Sequence, residues 1–476
     1  MVLVLTMVVL QSISFSNYAL TTKTTNIIYG SAPYLTFDGG RTRVTNTEAL
    51  LGITLSDGRT FTPTTNNSSS TNPIVLPVAG QSFNDIGMLV PTNTNSIALS
   101  SLIGEPYNYW GDDDGDGQGV NGVTATGSLN LSIVDKDNNR VARNEVLDIC
   151  NGKAPYKLTL SNTNGTLTTR YGVPNESRFS AGNATYYINP KAAPVICFAK
   201  PNLIFGDWSR DYNRRTWVNF AGPADIWNPR KGFLPQSVTP SSYGLNFPTT
   251  GANNLYFDLL IGGVSQALSW APVSHGGITA TMTDSTSTSV RVTLTGPAVT
   301  DRNQWYSENP DRIDKPSLPQ TFELVGRDSS GNAVLKYGFV LKQWFVNRGT
   351  YPSGENTMAV WCNKIRYRQV KVKDLTNASC MSVSGVAECQ YLEVATPSSD
   401  SVYYYMRHIG AGFFTEWGRM GDYIGTNFVS IYWTQDRSEP VDNNSKRAFW
   451  TVIPDGFLVT RVRDYLTEPY GLCVYP

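Results

Sequence analysis

Apolar and polar residues alternate in two long stretches of the chain, at roughly 78–205 and 240–348. In the run "SLNLSIV" at 128–134, for example, apolar residues recur at every second position. A period of two puts successive side chains on opposite faces of a strand, so these runs predict half-buried β-strands. Gly, Asn and Pro separate the runs, and "NG" at 164–165 is a strong hairpin signal. We therefore predict a β-sandwich over each stretch.

The residues before and between these stretches have weaker patterns. Residues 20–77 carry scattered apolar positions and include a Thr/Ser/Asn-rich tract at 59–73, which predicts strands or partial order followed by a linker or loop. Residues 206–239 contain three tryptophans among Pro and Asn. We expect this segment to connect the two sandwiches and to be packed by its aromatic side chains.

The final stretch, residues 349–476, is irregular and rich in glycine and aromatic residues. One short helix is predicted to start at Asp374, because aspartate is a good N-cap residue. Trp417, Trp433 and Trp450 are expected to fill the core. We predict a small, loop-rich domain here.

The composition agrees with short strands joined by turns. Only 16% of the residues are charged, 12% are aromatic, and Gly (41) and Pro (27) are frequent. Lys+Arg and Asp+Glu both number 38, so the formal net charge is zero. A nucleic-acid-binding domain needs an excess of positive charge. We therefore expect no nucleic-acid partner.

The first 19 residues predict export. They begin with ten mostly apolar residues, "MVLVLTMVVL", and then turn polar, which is typical of a secretory signal cleaved after Ala19. No Lys or Arg precedes the apolar run, so a buried first strand is the alternative. No later run approaches the ~18 apolar residues of a membrane helix. The mature chain is thus expected to be exported and to lack a transmembrane segment.

Six cysteines are present, and none forms a CxxC motif. An even number in an exported chain favours disulfides. Two of the cysteines lie in the first half of the chain and four in the last quarter, which favours pairing within each group. The pairs that we favour are Cys150 with Cys197, Cys362 with Cys473, and Cys380 with Cys389.

Five short motifs distinguish the last stretch. They are "WC" at 361–362, "YRQVKVKDLTNA" at 367–378, "GAGFFTEWG" at 410–418 with "YWTQD" at 432–436, and the closing "GLCVYP" at 471–476. In these motifs the stretch resembles a bacterial C-type-lectin-like domain. Such a domain has its ends joined by its first and last cysteines and leaves a long loop region free to bind. Together with a signal and two sandwiches, the arrangement resembles the passenger tip of invasin- and intimin-type adhesins of Gram-negative bacteria.

The resemblance implies both a fold and a function. The expected fold is mainly β: two tandem Ig-like β-sandwiches followed by a small, disulfide-pinned α+β C-type-lectin-like domain. The expected function is adhesion, with a host or cell-surface receptor or a glycan as the partner, at the surface of a Gram-negative bacterium or in secreted form. The sequence shows no counterpart of the membrane anchor of those adhesins. We therefore expect a secreted relative or an anchor in another polypeptide.

An acidic loop, "YWGDDDGDGQGVNG" at 109–122, interrupts the first sandwich. Asp112, Asp114 and Asp116 follow the D-x-D-x-D-G pattern of calcium loops, in which alternate carboxylates supply the hard oxygen ligands that calcium requires. Val123 stands where an EF-hand has a bidentate glutamate, so this is not an EF-hand. Two interpretations stay open, a structural calcium site and a solvated acidic turn.

Exposed aromatic and arginine side chains dominate many binding surfaces. In the last stretch we therefore predict a ligand-binding face formed by Tyr404, Arg407, Arg437 and Arg447. The chain offers only two histidines and no nucleophile elbow, zinc or phosphate-loop motif. We expect a binding protein rather than an enzyme. A structural or assembly component of the cell envelope is the alternative, and a secreted glycan hydrolase is a weaker one.

Overall fold

The computed structural model divides the chain into two compact units. The N-terminal unit comprises Met1–Leu147 and Lys153–Lys191, and the C-terminal unit comprises Asp148–Gly152 and Ala192–Pro476. The residues that the structure describes are 29–115, 122–211, 216–379, 392–401, 403–428, 431–437, 449–453, 455–461 and 469–476. The predicted signal, residues 1–19, lies outside them.

The N-terminal unit is built from short strands. They are β1 Tyr34–Leu35, β2 Ile53–Thr54, β3 Thr60–Phe61, β4 Ile74–Val75, β5 Ser96–Ala98, β6 Trp110–Gly111, β7 Val123–Thr126, β8 Ser128–Val134, β9 Tyr156–Asn162, β10 Gly165–Thr169, β11 Glu176–Phe179 and β12 Gly182–Asn189. The helical turns are α1 Thr47–Leu50, α2 Leu99–Leu102 and a 3-10 turn at Phe83–Asp85. The larger sheets run in the orders β4-β12-β9-β8-β5 and β11-β10-β7, and β1-β6 and β2-β3 form pairs.

The apolar residues of the alternating runs are buried, as the period of two predicts. Leu129, Leu131 and Ile133 of β8 are buried, and so are Leu158 of β9 and Tyr186 of β12, which lie opposite each other in the antiparallel ladder. Buried side chains from the five-stranded and the three-stranded sheets belong to one hydrophobic cluster. The mainly β class is confirmed here.

Residues 29–77, for which we predicted strands or partial order followed by a linker or loop, contain β1 to β4 and pack into the N-terminal unit. Leu50, Ile53 and Leu55 are buried in the core of the N-terminal unit, and β4 pairs in parallel with β12. Even the Thr/Ser/Asn-rich tract is held, because the Asn66 side-chain amide donates to the carbonyl of Thr185 at 2.7 Å. Buried apolar residues, a strand pairing and a side-chain hydrogen bond therefore join this segment to the unit.

The C-terminal unit also consists mainly of strands. They are β13 Val195–Lys200, β14 Trp208–Asp211, β15 Thr216–Asn219, β16 Trp227–Asn228, β17 Gly232–Phe233, β18 Thr250–Ala252, β19 Leu255–Gly262, β20 Ser269–Trp270, β21 Val273–His275, β22 Ile278–Thr283, β23 Ser289–Thr295, β24 Gln320–Arg327, β25 Ala333–Leu341, β26 Gln343–Asn347, β27 Arg368–Gln369, β28 Tyr432–Arg437, β29 Phe449–Val452, β30 Leu458–Arg461 and β31 Leu472–Tyr475. Its helices are α3 Arg302–Tyr306, α4 Glu355–Lys364, α5 Val372–Leu375 and α6 Phe413–Trp417, with 3-10 turns at Pro240–Leu245 and Met420–Asp422. Among the described residues, no helix has the length and apolar character needed to span a membrane.

Two sheets of this unit share one core. A seven-stranded sheet runs in the order β16-β17-β13-β19-β23-β22-β21, and a three-stranded sheet in the order β20-β24-β25. Phe257 and Leu259 of β19 and Phe322 and Phe339 of the smaller sheet are buried in the same cluster. Seven of these ten strands lie in the stretch, 240–348, in which the alternating pattern predicted the second sandwich, whereas β13, β16 and β17 precede it.

The predicted boundary at residue 348 is crossed by a sheet. Its order is β18-β26-β31-β27, and β26 pairs with β31 from Trp344 opposite Tyr475 to Asn347 opposite Leu472. The two predicted domains, 240–348 and 349–476, therefore lie in one compact unit with a common core. Trp417 and Trp450 are fully buried and Trp433 nearly so, as expected for core residues. The lectin-like fold of the last stretch stays a prediction.

A buried carboxylate also joins these two stretches. Glu416 of α6 accepts hydrogen bonds from the backbone N–H groups of Thr249, Thr250 and Gly410 at 2.8–3.1 Å, and from the hydroxyls of both threonines. Burial raises the pKa of Glu416 above its usual value, and these donors oppose the shift. The carboxylate thus ties the chain before β18 to the segment around α6.

The predicted helix near Asp374 begins earlier than expected. Lys371 occupies the N-cap position of α5, and Asp374 accepts from the backbone N–H of Lys371 at 2.7 Å. Asp374 also accepts two hydrogen bonds from the guanidinium of Arg368, at 2.5 and 2.9 Å. The aspartate therefore serves in the first turn of the helix instead of capping it.

The described residues contain two disulfides. Cys150 is bonded to Cys197, with Cα atoms 5.1 Å apart, and Cys362 to Cys473, with Cα atoms 5.5 Å apart. These are two of the three pairs favoured from the sequence, and the third, Cys380 with Cys389, lies outside the described residues. The second bond spans 111 residues, which corresponds to about 4 to 5 kcal/mol in the chain-entropy account of disulfide stabilisation.

Candidate binding surface

Two of the four residues predicted to form a ligand-binding face are buried. The prediction is wrong for Tyr404 and Arg407, because both side chains are buried in the core of the C-terminal unit. Arg437 is exposed at the end of β28, with its guanidinium 5.5 Å from the ring centre of Phe449. Arg447 lies outside the described residues. Within residues 403–408, Tyr404, Tyr405 and Arg407 are all buried.

Arg407 has a structural role. Its Nη2 donates to the carbonyls of Asn202 at 2.7 Å and Ile204 at 2.8 Å, and its Nη1 donates to the carbonyl of Glu416 at 3.1 Å. The guanidinium also lies 4.7 Å from the ring centre of Trp227. Burial lowers the pKa of Arg407. The arginine therefore binds the chain that precedes β14 to the C-terminal segment.

The two strands that follow this anchor form a separate ribbon. β14 pairs antiparallel with β15, so that Trp208 lies opposite Asn219 and Arg210 opposite Trp217. The chain that follows β15 is held by Phe220, which is buried, and by the backbone N–H of Arg407, which donates to the Phe220 carbonyl at 2.9 Å. We call β14 and β15 the tryptophan ribbon.

One face of the tryptophan ribbon is turned to solvent. Val218 is buried, and successive side chains of a strand point to opposite faces, so Trp217 and Asn219 lie on the outer face. Cross-strand partners share a face, which places Trp208 and Arg210 there too. Trp208 is 63% exposed and Trp217 is 65% exposed.

The two exposed indoles are close enough to act together. They occupy diagonal positions of the ladder, and such positions are about 7 to 8 Å apart. Arg210 and Asn219 occupy the other two positions of this face, and the Oδ1 atom of Asn219 accepts from the backbone N–H of Ala221 at 3.0 Å. The outer face thus combines two apolar ring surfaces with hydrogen-bond donors on a small, paired scaffold.

Sequence reasoning missed this surface. It treated residues 206–239 as a connector packed by its tryptophans, and only Trp227 fits that description, being buried with its indole N–H donating to the Gly206 carbonyl at 2.6 Å. A usable signal was present, since Val218 stands between Trp217 and Asn219 in a short alternating run. In a strand with this pattern the valine faces the core, and the tryptophan shares the opposite face with a polar asparagine.

The acidic loop is partly neutralised by protein groups. Arg43 forms an ion pair with Asp113, and the Tyr34 hydroxyl donates to Asp113 at 3.1 Å. The Oδ2 atom of Asp114 accepts from the backbone N–H of Ser31 at 2.5 Å. Arg43 and these hydrogen-bond donors therefore stabilise the negative charges of Asp113 and Asp114.

Calcium would fit this loop only in part. Carboxylates at Asp112 and Asp114 are the oxygen donors that calcium prefers, but one oxygen of Asp114 is already turned to the Ser31 amide. Asp116 lies outside the described residues. Within the described parts of the chain, no group of three or more His, Cys, Asp or Glu side chains is placed to hold a metal ion. The calcium site stays a prediction.

The chain has little similarity to known proteins. No protein-family model matches it, and no curated protein matches it either. A solved structure, invasin, described as a bacterial integrin-binding protein, aligns over 75% of this chain with 11% identity and a TM-score of 0.31. The alignment covers 52% of the invasin chain, about half its length. A TM-score of this size does not establish a shared fold.

Proposed function

We propose that the chain is an exported, adhesin-like protein that binds a glycan on a cell surface through the tryptophan ribbon. The observation that carries the proposal is the pair of indoles of Trp208 and Trp217, each about two-thirds exposed on one face of a two-stranded ladder. Large aromatic side chains normally gain about 1.5 to 3 kcal/mol by burial. Two of them left exposed side by side favour a role in recognition over one in folding.

The polar neighbours favour a glycan as the ligand. A sugar ring offers C–H groups that pack against an indole face and hydroxyls that need hydrogen-bond partners. Arg210 and Asn219 supply such partners directly beside the two rings. Indole rings also provide contact area at low entropic cost, since only two side-chain torsions must be fixed.

Export is supported by the disulfides, because such bonds form and persist outside the reducing cytosol. We propose the surface of a Gram-negative bacterium, or its surroundings, as the place of action. A host or cell-surface glycan would then be the partner. We propose that the protein binds the glycan without cleaving or modifying it.

A glycan array read with the full-length exported chain tests the proposal. The double variant Trp208→Ala/Trp217→Ala should bind its best glycan at least tenfold more weakly, about 1.4 kcal/mol. Tyr306→Ala is the matched control, because Tyr306 is an aromatic residue of the same unit that is 57% exposed. Its binding should be unchanged. Both proteins should keep the wild-type melting temperature within a few degrees.

Other outcomes would favour other functions. If no glycan binds and the wild-type chain forms filaments in sedimentation experiments, an assembly component of the envelope replaces the adhesin. If glycans are cleaved during the incubation, a glycan hydrolase replaces the adhesin as the proposed function. Equal loss of binding in the double variant and the Tyr306 control would show that the tryptophan ribbon is not the binding site.

A further inference from the structure

We propose that the N-terminal unit carries a second ligand site, in which Arg143 binds the carboxylate of an acidic saccharide. The observation behind this site is a buried arginine that lines two adjoining cavities. Arg143 is only 9% exposed, yet it borders cavities of about 340 and 580 Å³. Neither cavity involves the C-terminal unit, so the site is independent of the tryptophan ribbon.

The guanidinium of Arg143 is incompletely paired. Its hydrogen bonds to described residues both come from Nη1, which donates to the carbonyls of Val90 at 2.9 Å and Pro91 at 2.7 Å. The Nε atom is buried and donates to no described residue. No carboxylate among the described residues lies within ion-pair distance of this arginine.

A buried cation without an anionic partner is costly to maintain. Burial lowers the pKa of Arg143, which reflects the penalty on its charged form. The Nη2 group of Arg143 is not among the buried atoms and donates to no described residue, so it can donate a charge-assisted hydrogen bond to a ligand carboxylate. A ligand carboxylate would therefore supply both the missing charge and the missing acceptor.

The cavity walls indicate what the rest of the ligand is. Beside Arg143 the larger cavity is lined mainly by amides and hydroxyls, those of Asn84, Asn93, Asn95, Asn144, Thr92 and Thr94. The rings of Tyr107 and Tyr109 border the smaller cavity, with centres 5.6 Å apart. Amides and hydroxyls are suited to the hydroxyls of a sugar, and aromatic rings to its C–H faces. The volumes fall in the range of about 300 to 1,000 Å³ that is usual for small-ligand sites.

The anchoring of Arg143 is rigid. Its backbone carbonyl accepts from the N–H of Asn84 at 3.1 Å, and Nη1 is fixed by the two carbonyls at residues 90 and 91. A side chain held in this way loses little conformational freedom on binding. The guanidinium of Arg143 is therefore preorganised for ligand binding.

The test is calorimetric titration of the full-length chain with three probes. Methyl glucuronide carries the carboxylate on a sugar, methyl glucoside is the neutral sugar, and N-acetylglycine is a carboxylate without a sugar. The proposal expects the glucuronide to bind at least tenfold more tightly than either of the others. Arg143→Lys, which keeps the charge but loses the fork, should weaken glucuronide binding at least tenfold.

A second variant guards against a folding defect at Arg143. Asn84→Asp places a negative charge at an exposed position of the cavity wall and should weaken glucuronide binding at least fivefold with an unchanged melting temperature. Asn183→Asp is the matched control, since Asn183 is exposed in the same unit and lines neither cavity. Failure of the glucuronide to bind at millimolar concentration, or equal binding of the glucoside, would overturn the proposal. Tighter binding of N-acetylglycine would overturn the saccharide class, and binding unaffected by both variants would overturn the site.

Discussion

Replacement of Arg407 by alanine removes the cation that holds the chain before the tryptophan ribbon. The change takes away the donors to the carbonyls of Asn202 and Ile204, at 2.7 and 2.8 Å, and to the carbonyl of Glu416 at 3.1 Å. It also removes the contact with the face of Trp227. The side chain is fully buried, so the variant leaves a cavity as well.

The magnitude follows from these losses. A buried acceptor left without a donor costs about 1 to 3 kcal/mol, but water can reach Asn202 and Ile204, which are partly exposed. Removing a buried cation also recovers part of its desolvation cost. We therefore expect a net loss of about 4 kcal/mol in the free energy of unfolding of the C-terminal unit. For a unit of this size that corresponds to a fall of about 7 °C in melting temperature.

Urea unfolding followed by tryptophan fluorescence measures this loss. Arg437→Ala is the control, because Arg437 is an exposed arginine of the same unit and its removal should cost less than about 1 kcal/mol. Arg407→Lys should fall between the two, since lysine keeps the charge but not the fork. If Arg407→Ala were as stable as the Arg437 variant, the reasoning that makes Arg407 the anchor of the ribbon would be refuted.

Three further predictions concern charge, metal and disulfides. The pKa of Asp374 lies below its usual value of 3.8, because the donors from Arg368 and its neighbours outweigh the effect of burial; its contribution to stability is present above that value and is lost as the pH falls. Asp374→Asn should therefore cost about 2 kcal/mol at pH 7, and urea titrations should show the difference shrinking below about pH 4, whereas a difference independent of pH would contradict this assignment. If the acidic loop at 109–122 binds calcium, calcium at ten times its dissociation constant should raise the unfolding free energy by about 1.4 kcal/mol over a chelator control, and superimposable melting curves would leave a solvated turn. Peptide mapping without reduction should recover Cys380 joined to Cys389, and a link from either residue to another cysteine would contradict the pairing.

The strands of the two alternating stretches were predictable because burial there is local and regular. Every second residue of β8 or β9 faces the core, and a period of two in the sequence records this directly. Cysteine positions were informative for a similar reason, since the separation of two early and four late residues restricts the pairings.

The binding surface was not predictable from residue types. Tyr404 and Arg407 look like surface residues, but the partners that bury them, such as Phe220 and the carbonyls at 202–205, lie about 200 residues earlier in the chain. Trp208 and Trp227 belong to the same Pro- and Asn-rich segment, and only the strand pairing decides that one is exposed and the other is not. Contacts between distant segments leave no periodic pattern in a single sequence.

The most direct test of the central claim is ¹⁹F NMR of the full-length chain with 5-fluorotryptophan at its 11 tryptophan positions. The signals of Trp208, Trp217 and Trp227 are assigned with phenylalanine variants, and the best glycan from the array is then added in steps. The account predicts saturable shifts at Trp208 and Trp217 with a common dissociation constant, and a stationary signal from the buried Trp227. A glycan that binds while both exposed indole signals stay in place would contradict it.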